Sequence, residues 1–157
     1  MLSIRPAVAE DVALLKTLIH EFAEYERLQA VITEKQLLDD GFGPHPIFRI
    51  LLAEWEQQPA GYALFFDYYS SFRGRGLFLE DLFVRKEFRG KGVGKALLAL
   101  VAAFAEKHHS FGVMFNVLDW NRSAIEFYQS LGATFLDEWK TVCLTGSALE
   151  AVAKEAA

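Results

Sequence analysis

The sequence contains a single cysteine, Cys143, so it forms no disulfide within the chain and no metal site built from several thiolates. Its formal net charge is −5, and no basic stretch is suited to neutralising nucleic-acid phosphates. No apolar run approaches the length of a membrane-spanning helix, and the first residues lack the basic and apolar segments of a signal peptide. We therefore expect a cytoplasmic protein without a nucleic-acid or membrane partner.

The four histidines do not form a ligand pattern either, because none is spaced to share a metal with another, so we expect no bound metal. What the chain does have is apolar bulk: 52% of its 157 residues are hydrophobic and 14 are phenylalanine. A chain of this length buries enough surface to fold without staples. There is no repeat or linker, so we expect one domain over residues 1–157.

Apolar spacing and turn residues predict an alternation of strands and helices along the chain. Helical spacing is strongest after residue 93. A capping box at Thr33 begins another helix, and Asn121 or Ser123 caps a third, with a second capping box at Ser123 to Glu126. Predicted strands cover 2–6, 47–54, 60–69, 77–84, 112–118, 133–136 and 139–144. The fold class is therefore α/β (α+β), with a mixed, mostly antiparallel sheet of about seven strands and helices on both faces.

The sharpest motif is a glycine-rich loop that follows a predicted strand and opens the most regular helix. It reads Arg89-Gly90-Lys91-Gly92-Val93-Gly94. Backbone N–H groups at a helix start lack helical partners, so such a loop can bind an anion such as a phosphate. The spacing matches neither the phosphate loop of nucleotide hydrolases nor the Rossmann fingerprint. On spacing alone, a tight strand-to-helix turn without a ligand stays open.

This loop, together with Asn121, Phe127-Tyr128 and Leu131-Gly132-Ala133 downstream, resembles the GNAT N-acetyltransferase superfamily. The predicted order of elements agrees with the GNAT fold along the whole chain. Further segments resemble the spermidine/spermine acetyltransferase branch, which includes diamine and thialysine acetyltransferases. These segments are Ile4-Arg5-Pro6, Ala23-Glu24-Tyr25-Glu26, Asp40-Gly41-Phe42-Gly43, His45-Pro46, Leu79-Glu80-Asp81-Leu82-Phe83-Val84 and Trp120-Asn121.

The resemblance implies a set of acetyl-CoA contacts: Leu82, Phe83, Val84, Arg89, Gly90, Lys91, Gly92, Val93, Gly94, Lys95, Asn121, Arg122, Ser123, Ala124 and Phe127. It implies Tyr128 as the general acid and an amine site formed by Tyr25, Glu26, Glu80, Phe115 and Asn116. It also implies a homodimer. One departure concerns the amine: Ser70 and Phe72 stand where polyamine enzymes have an acidic residue and a tryptophan. This difference favours smaller amines, such as a diamine, thialysine or a lysine-like compound.

The chemistry of amine acetylation explains why these residue types fit. A primary amine has a pKa near 10.4, so its free base is rare at neutral pH, a handicap of roughly 4 kcal/mol. A carboxylate that attracts the ammonium and takes its proton lowers that handicap. Consecutive strand residues point to opposite faces, so only one of Glu80 and Asp81 is expected to reach the site, and we favour Glu80.

Tyr128 suits the general acid because a phenol stays protonated at neutral pH and can protonate a leaving thiolate. A core aromatic on an amphipathic helix is the alternative reading of Tyr128. Similarly, the carboxylates near Tyr25 and Glu26 form either an anionic rim for amines or a solvated face. Two other functions stay open: an N-acetyltransferase of proteins or peptides, and an acyl-CoA-binding regulator without catalysis.

Overall fold

The computed structural model describes residues 1–156, and it forms two compact units, Met1–Leu118 and a second that begins at Asp119. The prediction of a single domain stays a prediction. The first unit contains a five-stranded sheet in the order β1-β2-β3-β4-β5. Its strands are β1 (Leu2–Pro6), β2 (Arg49–Trp55), β3 (Gln58–Ser70), β4 (Gly74–Val84) and β5 (Val113–Met114).

Within residues 1–156, three α-helices belong to the first unit and two to the second. They are α1 (Val12–Tyr25), α2 (Glu34–Phe42) and α3 (Val93–Lys107), then α4 (Arg122–Ser130) and α5 (Gly146–Ala153). The capping box at Thr33 is confirmed, since its hydroxyl accepts from the Gln36 N–H while the Gln36 side chain accepts from the Thr33 N–H. At α4 the cap is Asn121 and not Ser123.

The sheet is antiparallel from β1 to β4, and β5 then pairs with β4 in parallel. Short connections join β2, β3 and β4 in an antiparallel meander, whereas α1 and α2 lie between β1 and β2, and the parallel strand β5 follows only after α3. The fold class predicted from the sequence is therefore confirmed as mixed α/β, with a sheet that is mostly antiparallel.

Two apolar cores lie on opposite faces of this sheet. On one face, Leu79 and Phe65 pack with buried residues of α3 such as Leu97 and Val101. On the other face, Leu15 and Leu18 of α1 pack with the residues of β2, β3 and β4 whose side chains alternate to that side: Ile50, Leu52, Tyr62, Leu64 and Phe83. Helices thus cover both faces of the sheet, as the sequence predicts.

The number of strands is a correction: the sheet has five strands and not seven. Within residues 1–156 no strand follows β5, so the hairpin predicted for 133–136 and 139–144 is not formed. Trp139 and Val142, which an alternating strand would bury, are 73% and 89% exposed. Alternation predicts a strand only where a neighbouring edge completes the backbone hydrogen bonds, and this segment pairs with none.

Candidate active site

The candidate site begins at the C-terminal half of β4, where a β-bulge changes the direction of the side chains. Leu64 pairs with Asp81 and the next residue, Phe65, pairs with Leu79, so Glu80 is an extra residue without a partner on β3. A bulge bends its strand and re-aims the side chains on either side of it.

The bulge places Glu80 and Asp81 on the same face of the sheet. Leu79 belongs to the core under α3, whereas Asp81 bonds to Tyr62 and belongs to the α1 face. Phe78, two residues before Glu80, stacks on Phe66, which packs against the α1-face core. The premise that these consecutive residues point to opposite faces is therefore wrong, because strict alternation fails at a bulge, and the preference for Glu80 over Asp81 stays a prediction.

Asp81 is the more enclosed of the two carboxylates. The hydroxyl of Tyr62 donates a 2.7 Å hydrogen bond to Asp81 Oδ2, and Tyr62 itself is 0% exposed. Burial and the nearby charges of Glu80 and Glu26 raise the pKa of Asp81 to about 6, although the Tyr62 hydrogen bond opposes them. Burial together with Asp81 also raises the pKa of Tyr62 well above its usual value, so its phenol stays protonated.

A third carboxylate comes from the end of α1. Glu26 is the C-terminal cap residue of this helix, and burial and the charge of Glu80 raise the pKa of Glu26. Tyr25 precedes it, and the guanidinium carbon of Arg89 lies 4.5 Å from the centre of the Tyr25 ring. Glu26, Glu80 and Asp81 thus form a concentrated negative charge near the end of α1.

The end of α1 is held against β4 by one partly buried ion pair. Arg85 Nε and Nη2 donate to the two carboxylate oxygens of Glu21, at 2.8 and 2.7 Å. Arg85 Nη1 also donates to the carbonyl of Pro59 at 3.0 Å. This two-point geometry fixes an orientation as well as a distance, so it aligns the last turn of α1 with β4.

The glycine loop connects β4 to α3. Gly90 and Gly92 have φ values of +74° and +80°, and Gly92 is the N-cap of α3. This left-handed backbone favours glycine, and the first-turn N–H groups that follow it have no partner within the helix. The loop therefore has the geometry of an anion site at the positive end of the helix dipole.

The basic side chains of the loop point in different directions. Arg89 Nε donates to the carbonyl of Val84 at 2.8 Å, which places its guanidinium near Tyr25. The Lys91 ammonium lies 5.1 Å from the centre of the Trp55 ring and close to Phe88. Lys95 is exposed on the first turns of α3.

Strands β4 and β5 separate soon after they pair. The parallel ladder covers only Leu77 with Val113 and Phe78 with Met114. Leu82, Phe83 and Val84 therefore pair with β3 alone, which leaves the other edge of β4 open beside the glycine loop. Beyond β5, Phe115 packs against the α3-face core, whereas Asn116 is exposed.

The second unit contains the other predicted residues, on α4. Asn121 caps this helix by accepting from the Ala124 N–H at 3.3 Å, and the Ser123 hydroxyl also donates to it. Arg122 is exposed and Phe127 is partly buried. Tyr128 is 8% exposed, and its ring lies 5.3 Å from that of Phe127.

Helix α4 ends as the sequence predicts. Gly132 has a φ of +81°, its N–H donates to Gln129, and the Ala133 N–H donates to Tyr128. This pair of bonds is the Schellman motif that a C′ glycine favours.

Within the first unit, the structure thus brings together the end of α1, the end of β4 and the glycine loop. Sequence reasoning missed Tyr62 and the enclosed position of Asp81. A tyrosine in an apolar strand carries no local signal of a polar partner 19 residues away.

The family comparison agrees with this geometry. The model of the acetyltransferase (GNAT) family matches residues 13–133, which extend from α1 through α4. The chain belongs to the GNAT acetyltransferase family and is an enzyme that transfers acetyl groups.

Individual relatives resemble this chain over nearly its whole length. The chain is 37% identical to thialysine N-epsilon-acetyltransferase of Sus scrofa, over 96% of each chain. It is 33% identical to L-ornithine N5-acetyltransferase NATA1 of Arabidopsis thaliana, over 96% of this chain and 87% of that one. An integron cassette protein from the mobile metagenome of V. cholerae has the same fold, with a TM-score of 0.80, 22% identity and 98% of each chain covered.

Within residues 1–156, no group of three or more His, Cys, Asp or Glu side chains is arranged to hold a metal ion. No helix within the same residues is long and apolar enough to cross a membrane.

Proposed function

We propose that this enzyme transfers the acetyl group of acetyl-CoA to a primary amine of a small molecule. The observation that carries the proposal is that Glu26 at the end of α1 lies close to Glu80 and Asp81 of β4, just before a loop with the geometry of an anion site. The carboxylates favour a cationic substrate, and the loop favours a phosphate-bearing donor.

The glycine loop fits the pyrophosphate of acetyl-CoA. Its two left-handed glycines turn the backbone so that the first-turn amides of α3 point out of the helix. Arg89, Lys91, Val93, Gly94 and Lys95 complete this contact, and Asn121, Arg122, Ser123, Ala124 and Phe127 of α4 are proposed to bind the pantetheine arm. When bound, acetyl-CoA supplies an acetyl thioester that is already activated towards amines.

The open edge of β4 suits the acetyl carbonyl. The backbone N–H of Arg85 donates to the carbonyl of Ala60, so by alternation the N–H of Phe83 also faces β3, whereas the N–H groups of Leu82 and Val84 point to the open edge and are available to a ligand. Such donors, fixed in place before the reaction, stabilise the negative charge that develops on the carbonyl oxygen.

The amine lies, in this proposal, beside Glu80, with Tyr25, Glu26, Phe115 and Asn116 around it. Glu80 attracts the ammonium and assists its deprotonation. Tyr128 protonates the departing sulfur, a role for which a phenol that is neutral at pH 7 is suited.

The amine is proposed to be a diamine, thialysine or a lysine-like compound in preference to a long polyamine. Ser70 and Phe72 lie at the turn between β3 and β4, and Phe72 is 94% exposed, so this turn presents no carboxylate to a second ammonium group at those positions. The related enzymes that act on thialysine and L-ornithine support this preference.

A panel assay tests the function. Thiol release from acetyl-CoA is measured with thialysine, lysine, ornithine, putrescine, spermidine and spermine. A peptide with a free N-terminal amine is included to represent a protein substrate. We expect the highest kcat/KM for the short amines. Release driven best by the peptide would replace the proposal by protein acetylation, and release by no amine would reject catalysis.

We also propose a homodimer and a cytoplasmic location. Exposed apolar side chains are concentrated between residues 131 and 152 of the second unit, where Trp139 and Val142 are the most exposed. Surface of this kind is typical of a contact with another chain.

A further inference from the structure

The β-bulge at Glu80 gives the two neighbouring carboxylates unequal surroundings. Glu80 is the unpaired residue and is exposed, whereas Asp81 stays in register opposite Leu64 and is partly buried. The difference matters because a proton acceptor must be held in place, whereas a charge that only attracts a cation does not need a fixed geometry.

Asp81 is held by one oxygen only. Its Oδ2 accepts the 2.7 Å bond from the buried Tyr62 hydroxyl, which is fixed by the core under α1. Across residues 1–156, Tyr62 is the only hydrogen-bond donor to this carboxylate. Oδ1 is therefore left to accept from a substrate while Tyr62 sets the orientation of the group.

We propose that Asp81 is the proton acceptor of the reaction, oriented by Tyr62, and that Glu80 and Glu26 act on the ammonium and on Asp81 through their charge. This inference rests on the proposed function. In the step, the N–H bond of the substrate ammonium breaks and the proton forms an O–H bond at Oδ1 of Asp81. The nitrogen keeps the electron pair with which it attacks the acetyl carbon, and Asp81 later releases the proton to water.

The electrostatic surroundings agree with this geometry. The charged and titratable groups that face Asp81 are Tyr62 from β3, Glu80 from β4 and Glu26 from the end of α1. Burial and the two carboxylates raise the pKa of Asp81 to about 6, which is close to neutral pH. A base with a pKa near the working pH is both unprotonated and strong enough to take a proton.

The test is the pH dependence of kcat/KM with acetyl-CoA held saturating. The amine is thialysine, or L-ornithine if thialysine gives no turnover. For the wild type we expect kcat/KM to fall below a pH of about 6, as Asp81 becomes protonated. In Asp81→Asn the inflection near pH 6 should disappear, and kcat/KM at neutral pH should drop roughly a hundredfold. The remaining rate should then rise in proportion to the free-base fraction of the amine, with the same slope below and above pH 6.

Two further variants should move the acidic limb of the pH profile, which is the fall in kcat/KM at low pH, in opposite directions. Tyr62→Phe removes the hydrogen bond that lowers the pKa of Asp81, so the limb should move to higher pH. Glu80→Gln removes a charge that raises this pKa, so the limb should move to lower pH while KM for the amine rises. A merely structural role of Tyr62 changes stability and leaves the limb in place.

An NMR titration of the Asp81 carboxyl carbon in the protein without ligands gives a second readout that does not depend on turnover. It should show the same opposite shifts in Tyr62→Phe and Glu80→Gln. The proposal is overturned if Asp81→Asn keeps the wild-type profile, or if Glu80→Gln alone abolishes the acidic limb. Absence of amine-dependent thiol release from the wild type would instead reject the proposed function, so the two failures are distinguishable.

Discussion

Asp81 shows, at the scale of a single residue, how a site residue can oppose stability. Folding raises the pKa of this carboxyl from 3.8 to about 6, so the folded state favours its protonated form. The stabilising contribution of the protonated group is fully present below the unfolded pKa and is lost as the pH rises through about 6. Above that pH the folded protein holds a partly buried charge.

Asp81→Asn should therefore fold at least as stably as the wild type at pH 7. An amide keeps an acceptor for Tyr62 and carries no charge, so the free energy of unfolding should rise by about 1–2 kcal/mol, and the gain should vanish near pH 4. Denaturant titrations of both proteins at pH 4 and 7 measure it. Lower stability of the variant at pH 7 would show that the charge itself supports the fold.

Tyr128→Phe is the second prediction at this scale. Loss of the phenol proton should lower kcat at least about tenfold while acetyl-CoA still binds, because a positioned acid contributes this much or more to a transfer reaction. Tyr69→Phe is a matched control, since Tyr69 is 74% exposed near the end of β3 and should keep full activity. Full activity in Tyr128→Phe would remove this tyrosine from the mechanism.

Arg85 acts through another residue, Glu21, and its removal should affect both stability and substrate binding. Arg85→Gln breaks the two-point contact that aligns α1, so the free energy of unfolding should fall by about 1–2 kcal/mol, discounted for partial exposure of the pair. KM for the amine should rise because Glu26 caps the same helix. The exposed pair of Lys35 and Asp39 supplies the control: Lys35→Gln should leave thermal melting and KM unchanged. Equal melting curves for the wild type and both variants would contradict this role of the ion pair between Arg85 and Glu21.

At the scale of elements, the glycine loop was predictable and the bulge was not. Regular apolar spacing after Val93 and glycines before it indicate a helix that starts from a left-handed turn, and both features are local. The bulge depends on how β3 and β4 pair, which no short segment specifies, so alternation gave the wrong relation between Glu80 and Asp81. The hairpin predicted after Gly132 is not formed for a related reason, because alternating apolar and polar residues do not specify whether a partner strand exists.

Gly92→Ala tests the loop as an element. An alanine at φ +80° costs about 1–2 kcal/mol, so the loop should relax away from the geometry that aims its amides. Acetyl-CoA binding must then restore that geometry, which weakens affinity by roughly tenfold for each 1.4 kcal/mol. Gly112→Ala is the matched control because its backbone is not left-handed and no atom lies within 4 Å of the added methyl group. Similar affinity in both variants would argue against the loop as the donor site.

At the scale of the whole molecule, each of the two units contains some of the residues proposed to act in catalysis and ligand binding. The first unit holds the carboxylates and the glycine loop, and the second holds Asn121 and Tyr128. The family match, which covers residues 13–133, includes residues of both units. The sequence could not predict the surroundings of these groups, because burial and charge at Asp81 arise only when α1, β3 and β4 meet.

A homodimer should sediment with twice the mass of one chain. The exposed apolar side chains between residues 131 and 152 are the proposed contact surface. Replacing Trp139 and Val142 by serine should therefore shift the equilibrium towards the monomer, because less apolar area is then buried on association. Replacing Tyr69 and Phe72 in the same way serves as the comparison. A wild-type chain that sediments as a monomer at micromolar concentration would reject the dimer.

The proposed function depends most on the binding of a pyrophosphate by the glycine loop, and calorimetry tests that binding. Acetyl-CoA and S-acetylpantetheine, which lacks the pyrophosphate and the nucleotide, are titrated separately into the wild-type protein. We predict saturable binding of one acetyl-CoA per chain and at least roughly tenfold weaker binding of S-acetylpantetheine. Equal affinity for the two compounds, or no binding of acetyl-CoA, would contradict the account.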